Sequence, residues 1–595
     1  VPGISALADD IISIPRPFRR ALISLLAFDQ LERLCESVTN DGPIPEQLLN
    51  RLAVTYRVSE LDLKQIPRTG ATVIVANHPF GILEGAVLAT LLVRIRPDVR
   101  FLANHVLGAI PKLRDLLIPV DVWSGNTQAN SRGLHRSLEF LRDGGCLVVF
   151  PAGEVSHFQP AKRMVADSEW HTSVARLIEA VSRKGVAVST VPAYIHGSNS
   201  VLFQILGMLH PRFRTALLAR ELLNKRSRSV ELRIGSPIPH TKLLEIPTPR
   251  ERTEYLRWRT YLLAGRREFK PRTSLPLLNR GRGPASATVN PAVDRELLSS
   301  EVAVLPEDCR LFRSGDLEVY AAQASAIPTL LLEIGRLREL TFRAVGEGTG
   351  KATDLDQFDS TYLHLFVWNS AKREIVGAYR LAGTDVTSDL YTATLFKYNA
   401  GFLHRLGPAL ELGRSFVRTE YQKGFAPLLA LWKGIGAYVA RNPRYKTLFG
   451  PVSISNQYQM ISRELMVAFL ERRAALPEMA RDWAGLVSSR NPFRRRSRHA
   501  MPASEAFDFE DLSDCISDLE PSRAGVPVLL RQYLKLGGKL LGFNVDPKFS
   551  DALDGLIVVD LTQTEPRLLE RYLGKAEAQE FLKHQTRSPK ETYDT

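Results

Sequence analysis

Ala76-Asn77-His78-Pro79-Phe80-Gly81-Ile82-Leu83-Glu84-Gly85 decides how the first half of the chain is read. It continues ATVIVAN (71–77), a short apolar, β-branched run of the kind that forms a buried strand, and leads into a helical stretch at 83–95. Pro79 and Gly81 mark a turn between the two. A histidine at the exit of a buried strand is placed to reach a cleft. A carboxylate held against its Nδ1 fixes the tautomer and leaves Nε2 as a general base. A regular helix would put residues 78 and 84 on different faces, so His78 and Glu84 have to meet across the turn.

Outward from this segment, CLVVFPAG (146–153) and VAVSTVPAYI (186–195) read as further buried strands, alternating with helical stretches at 130–142 and 170–183. Strands alternating with helices predict a mixed α/β layered domain. FPAGEVS (150–156) sets a glycine-containing turn after a strand, where the backbone around Gly153 and Glu154, with the Ser156 hydroxyl, can bind an anion. Arg132 and Arg136 share one face of the intervening helix, a place for a phosphate or carboxylate. Asn104-His105 repeats the Asn-His dipeptide without an acid at suitable spacing; it, His157 and His171 read as structural histidines.

With 595 residues, the chain predicts two or more domains. A Pro-, Gly-, Arg- and Ser-rich stretch without period marks a linker at 265–310. Beyond it, YLHLFVWN (362–369), EIVGAYRLAG (374–383) and TLFGPVSIS (447–455) read as strands and 327–343 and 425–441 as helices, a second α/β domain over 311–580. The basic run SSRNPFRRRSRH (488–499) reads as a loop interrupting it.

Lys and Arg number 78 against 64 Asp and Glu, a formal charge of +14, which favours acidic partners such as anionic lipid or an acidic carrier protein. Four scattered cysteines without a CxxC pair argue against a disulfide framework or a zinc site and fit a reducing compartment. No apolar run approaches the roughly 20 residues that span a bilayer, and no signal-peptide layout is present. The expectation is a cytoplasmic protein, peripheral on the inner face of the cytoplasmic membrane. Within the N-terminal region 1–45, residues 16–38 place Phe18, Leu22 and Leu25 at helical spacing behind Arg16, Arg19 and Arg20. That pattern fits either a helix in a membrane interface or one packed on its own domain.

The first-half motifs, over about 60–240, together resemble the glycerolipid acyltransferase family, which includes lysophosphatidic acid acyltransferases. That family carries His, four residues and Asp, then commonly Phe-Pro-Glu-Gly-Thr, then a Val-Pro motif. Here five residues separate His78 from Glu84, FPAGE replaces the second motif, and Val191-Pro192 supplies the third. These variants look like those of the aminolipid-acylating subgroup and its hemolysin-like relatives. The resemblance implies an O-acyltransferase domain over 46–264, in which His78 and Glu84 activate a hydroxyl against an acyl thioester.

In the second half, Arg338, Asp356, Asp359, Arg380, Glu411 and Arg414 fall in order on predicted strands and turns. Charges at this density need partners, in an ion-pair network or a substrate site. DLDQFD, VGAYRL, Glu411-Leu-Gly-Arg414 and VPVLLRQYLKLGGKLLGFNVDPKF resemble the ornithine N-acyltransferases and, more distantly, acyl-homoserine-lactone synthases, both GNAT-like. The likeness, over about 315–565, implies transfer of a 3-hydroxyacyl chain from acyl carrier protein to an amine. Glu411 is the expected proton acceptor, with Arg414 holding it or the substrate carboxylate. Gly424 and Ala426, before a helix, are expected at the phosphopantetheine phosphate. The superfamily's Gln/Arg-x-x-Gly-x-Gly/Ala is only partly present, because Tyr421 holds the first position.

The order of the two halves resembles the bifunctional ornithine-lipid synthases. It implies N-acylation of ornithine or a similar amino acid, then O-acylation of the new 3-hydroxyl. The implied donor is acyl-ACP or acyl-CoA, with no tightly bound cofactor and no metal. Acyl carrier protein, amino-acid and lyso-aminolipid substrates and an anionic membrane are the implied partners, and nucleic acid is not among them. The arginines at 494–496 and 498 are candidates for the carrier or membrane contact. Two alternatives stand beside this reading: a lysophospholipid acyltransferase with a carrier-docking second half, and an inactive membrane-associated scaffold.

Overall fold

Thr72–Ala76 is buried at all five positions, as a strand covered on both faces must be, and its β-branched residues suit that place. The computed structural model describes residues 42–104, 111–120, 127–266, 287–474, 485–495 and 506–587, with Ala27, Gln30, Arg33 and Leu34. The helix expected over 16–38 falls outside the described residues but for those four, as do His105 and positions 267–286 of the expected linker.

The chain divides into two units, residues 1–269 with 502–525, and residues 270–501 with 526–595. In the first, strands β1 (Thr55–Arg57), β2 (Thr72–Ala76), β3 (Val99–Asn104), β4 (Leu117–Val120), β5 (Cys146–Val149), β8 (Ser189–His196) and β9 (Ser229–Ile234) form one sheet in the order β1-β9-β8-β2-β5-β3-β4. β10 (Ile238–Pro239) pairs β8, and β6 (His157–Gln159) and β7 (Met164–Ala166) make a separate hairpin. β2 runs parallel to both neighbours, β5 and β8, so its C-terminal end opens at the centre of the sheet. Among the helices that accompany these strands are α1 (Ile44–Arg51), α2 (Leu83–Val93), α3 (Thr127–Arg142), α4 (Ser173–Ser182), α5 (Val201–Leu209), α6 (Pro211–Leu223) and α7 (Pro249–Leu262).

Residues 502–525, read from the sequence as part of the second domain, belong to the first unit. Buried charge explains it. Asp518, in the last turn of a helix over Phe509–Leu519, accepts from the Ser236 N–H at 2.7 Å, its hydroxyl at 2.8 Å and Arg259 at 3.0 Å. Arg523 bridges Asp518 at 2.5 Å and Asp62 at 2.7 Å, and Arg266 also meets Asp62 at 2.8 Å. The Asp62 and Asp518 side chains are each 1% exposed, so each depends on these cations.

The second unit is an antiparallel sheet with one parallel pair. Its strands β11 (Arg310–Ser314), β12 (Leu317–Gln323), β13 (Leu363–Asn369), β14 (Glu374–Gly383), β16 (Ala409–Val417), β17 (Thr447–Ile454), β19 (Lys539–Asp546) and β20 (Ala552–Asp560) lie in the order β11-β12-β13-β14-β16-β17-β20-β19. The helices used below are α8 (Arg295–Ala303), α9 (Pro328–Ala344) and α10 (Ala426–Arg441). α8 shortens the expected linker: Asp294 caps it, accepting from Glu296 N at 2.8 Å, and Leu298 and Val302 are buried. β15 (Phe396–Tyr398) pairs β18 (Val487–Ser489), so the basic run expected as a loop begins as a strand; its residues 496–499 lie outside the described residues.

β16 and β17 are the one parallel pair of this sheet and share a short register, Ala409↔Thr447 to Glu411↔Phe449. Past it they part: β16 continues to Val417 against β14, and β17 to Ile454 against β20. Arg414 lies on the stretch of β16 beyond this pairing.

Candidate active sites

In the first unit, the end of β2 is fixed by Asn77, whose side chain donates to Ile195 O at 2.9 Å and accepts from Ile195 N at 2.7 Å. The chain then turns through His78–Ile82. Gly81 has φ +109°, a conformation side chains disfavour, and a Cβ there would stand 2.9 Å from Leu218. Glu84, in the first turn of α2, reaches back across this turn. Its Oε1 lies 2.7 Å from His78 Nδ1 and accepts from Phe80 N at 3.0 Å and Gly81 N at 2.8 Å. The contact expected from the motif is therefore formed, and the helix N-terminus adds its favourable dipole to the carboxylate.

The Glu84 side chain is 0% exposed and that of His78 18%, so the imidazole is the part of the pair that meets solvent. With Nδ1–H donating to Glu84, Nε2 is left as the acceptor. Burial lowers the imidazole pKa, but the Glu84 charge and hydrogen bond, with the Asp167 charge, outweigh it and raise the value. Burial works the other way on Glu84 and is again outweighed, by His78 and by the Gly81 and Phe80 N–H groups, so its pKa is lowered. The ring stacks on Phe150 with centroids 4.4 Å apart.

Asp167, absent from the sequence reading, holds the turn from beneath. It accepts from His78 N at 3.2 Å, the Ser156 hydroxyl at 2.5 Å and Trp170 Nε1 at 2.9 Å. Ser156, expected to bind an anion, is buried and spent on Asp167, while its N–H donates to His78 O at 2.8 Å. Glu154 likewise pairs Arg214 at 3.1 Å and accepts from the Ser168 hydroxyl. Gly153 supplies the turn, with φ +67° and its N–H on Phe150 O at 3.1 Å. Arg132 and Arg136 are exposed on α3, beside inward-facing Gly133 and Ser137, and neither meets the His78–Glu84 pair among the described residues.

In the second unit, the predicted charges do converge, in two layers. The inner layer is structural: Arg338 makes a two-point contact with Asp359 at 2.9 and 2.8 Å, and both side chains are under 5% exposed. Arg380 pairs Asp356 at 2.6 Å and Asp359 at 3.2 Å, among the rings of Phe358, Tyr362 and Tyr391. Such pairs cannot touch a substrate without breaking. The outer layer is Asp356 and Arg414. Arg414 holds a left-handed φ of +51° in a strand whose register with β14 shifts nearby, strain of the kind that re-aims a side chain. Its guanidinium covers Phe549 at 4.1 Å and meets Asp356 and Asp354 only at 3.4 and 3.6 Å.

Glu411, expected as the proton acceptor, is placed otherwise. One oxygen accepts from the Tyr362 hydroxyl and Tyr391 N, the other from Thr392 N at 2.8 Å and the Thr392 hydroxyl. Four donors on a buried carboxylate leave it no free lone pair for an amine proton; it pins the Tyr391–Thr394 turn and thereby Tyr391, 5.0 Å from the Arg414 guanidinium. Two other carboxylates facing Arg414 have raised pKa values. Burial, with Asp554's charge and against Arg414's attraction, pushes Glu347 up to about 7. Burial and the Asp546 charge, against the Ser453 hydrogen bond and Arg414, push Asp554 on β20 up to about 7. Neither showed in the sequence, because only folding brings residues 347, 414 and 554 together. Gly424 and Ala426 are exposed at the N-terminus of α10, where N-cap Phe425 supplies no side-chain cap.

A family described as "Acyltransferase" matches residues 46–268, and one described as "Acetyltransferase (GNAT) domain" matches 337–433. The chain is similar to a glycine N(alpha)-acyltransferase of Phocaeicola vulgatus, 39% identical over 46% of this chain and 88% of that one. Its counterpart from Bacteroides thetaiotaomicron is 32% identical over 46% and 87%. A lyso-glycine lipid O-acyltransferase of Phocaeicola vulgatus is 31% identical over 34% of this chain and 71% of its own length.

Proposed function

The chain belongs to the acyltransferases, an acyltransferase-family domain followed by a GNAT domain, and from that premise we propose that it builds a diacylated aminolipid in two steps. The GNAT unit acts first. A neutral α-amine attacks the thioester of a 3-hydroxyacyl carrier protein; the C–N bond forms, the C–S bond breaks and the thiol leaves. Glu347 or Asp554, each raised to about 7, where a carboxylate is a usable base at neutral pH, takes the amine proton and passes it to the departing sulfur. Arg414 holds the amino-acid carboxylate, and the α10 N-terminus at Gly424–Ala426 receives the phosphopantetheine phosphate.

The first unit then consumes the hydroxyl just delivered. His78 Nε2 takes its proton as the oxygen attacks a second acyl thioester, and returns that proton to the departing thiolate. The single observation that carries this reading is the His78–Glu84 pair, with Nδ1 engaged and the ring at the surface of a sheet's central strand end. The relatives divide N-acylation and O-acylation between separate proteins, and the fusion supplies both along one chain.

Ornithine is the acceptor we favour. Asp354, Asp356, Glu347 and Asp554 all face one cation, Arg414, and Asp546 adds its charge at Asp554, an excess of acids that suits a substrate's second ammonium. Glycine is the second reading, favoured by the relatives' names. Lipid mass spectrometry after expression in a host without aminolipids tests both. The head-group mass separates ornithine from glycine, and His78→Ala should accumulate the lipid with one 3-hydroxyacyl chain. Normal levels of diacylated lipid from His78→Ala would remove the assignment of the first site.

A further inference from the structure

The α5–α6 hairpin of the first unit is built inside out for a helix facing water. Its inner side is tied down by the one polar side chain of α5, Gln204, which is buried and accepts from Phe158 N at 2.8 Å, next to fully buried Phe203. Gly207 lets Arg214 of α6 cross closely, since a Cβ there would stand 2.6 Å from Arg214 Cγ. The outer side is apolar without interruption: Val201, Leu202, Ile205, Met208 and Leu209 are all exposed, Val201 by 74% and Leu209 by 72%, and Phe213 extends the patch onto α6. Residues 201, 205, 208 and 209 share one stripe of a helix. A soluble protein does not normally place such a stripe toward water.

Charge around the patch is one-sided. Residues 201–228 contain six basic residues, Arg212, Arg214, Arg220, Lys225, Arg226 and Arg228, and one acid, Glu221; Arg214 turns inward to Glu154, whereas Arg226 and Arg228 are exposed. Glu221 is already engaged, accepting from Ser200 N at 2.9 Å and pairing Lys225 at 3.4 Å. An apolar stripe flanked by arginine and lysine is the pattern of a helix lying in an anionic lipid interface.

The hairpin also adjoins the base. Asn199, just before α5, donates to Phe80 O at 3.3 Å, Gly197 lies against the Phe80 ring, and Leu218 of α6 closes on Gly81. All three touch the turn that carries His78.

We propose that the α5–α6 hairpin docks the first unit on an anionic lipid bilayer, with the exposed face of α5 among the acyl chains and the flanking cations at the head-group phosphates. This deepens the proposed function, because a lipid-borne hydroxyl would then reach His78 from the surface on which the hairpin rests. The surface itself is argued from exposure and charge, independently of the acceptor's identity.

The test uses the full chain and phosphatidylcholine–phosphatidylglycerol vesicles, with no turnover measured. The triple variant Val201→Ser, Ile205→Ser, Leu209→Ser should lose about tenfold or more in vesicle partitioning while its unfolding midpoint stays near wild type, since all three side chains are exposed. A tryptophan introduced by Leu209→Trp should be quenched by brominated lipids. His78→Ala should bind like wild type, so a wrong surface and a wrong base give different results. Wild-type partitioning by the triple variant, an unquenched tryptophan, or a wild-type protein that ignores the vesicles would each overturn the proposal. So would a shift from dimer to monomer on making the triple variant without lipid, which would assign the face to a second copy of the chain.

Discussion

The candidate sites of the two units deploy buried charge in opposite ways. In the first, one carboxylate, Glu84, is aimed at one imidazole across six residues of chain, and the reactive group is the part that reaches solvent. In the second, five acids and three arginines from α9, β14, β16, β20 and the loops between them share a network whose innermost members, Arg338 and Asp359, are sealed. A local pair concentrates function in one side chain. A distributed network spreads it, and most of its members hold shape.

The largest effect should therefore come from the local pair. A positioned general base typically contributes about 10²–10⁴-fold, so His78→Ala should cut ester formation by that much while N-acylation by the same protein is untouched. Glu347→Gln or Asp554→Asn alone should each cost less N-acylation than the double variant does, because either carboxylate can accept the proton. Rates on the purified chain check both. A single carboxylate variant as damaging as the double would show that the second unit also relies on one group.

That contrast explains what was legible in the sequence. The strand exit, the Pro-Gly turn and an acid six residues on are contiguous, so His78 and Glu84 could be read as a pair, as could the strand–helix alternation around them. Asp167 could not: it meets His78 across 89 residues, and nothing in ADSEW predicts that contact. Ser156 was read for its chemistry, but its environment turned the hydroxyl inward. In the second unit the charged motif residues did converge, yet side-chain type alone could not separate sealed from exposed carboxylates. Glu411 was misread for that reason. Residues 502–525 mislead in the same way, since only the ion pairs of Asp518 reveal which unit they complete.

Asp518 gives the next effect in size. Removing one partner of a buried pair typically costs about 3–5 kcal/mol. Asp518→Ala leaves Arg259 buried without its acid and should lower the first transition in a calorimetric scan, with the second unit's transition unchanged. A coincident loss of both transitions would mean the units unfold as one. Glu411→Gln comes third. It replaces an acceptor by a donor opposite Tyr362 and Tyr391, costing about 1–3 kcal/mol for the unmatched hydrogen bonds. Thermal stability of the second unit should fall, with the pH profile of N-acylation retained. Loss of rate without loss of stability would restore Glu411 as the base.

The smallest effect tests how the first site is tuned. The proposed ester formation requires neutral His78, and the carboxylates of Glu84 and Asp167 raise the imidazole pKa against the opposing effect of burial. The rate should thus rise with pH through a limb above the ordinary histidine value of about 6.5. The linkage to stability has the matching sign. The contribution from His78 is complete below its unfolded pKa and lost as pH rises through the raised folded value. The contribution from Glu84, whose pKa is lowered, is present above its unfolded value and lost as pH falls through the folded one. Asp167→Asn removes one raising charge and keeps an oxygen to accept from His78 N and Ser156. The limb should move to lower pH, with the plateau rate held within about tenfold because the base and Glu84 remain. N-acylation should not respond, since the proton acceptors proposed for it, Glu347 and Asp554, lie in the other unit. A limb that stays in place would mean that Asp167 supports the turn mechanically and that Glu84 alone sets the basicity of His78.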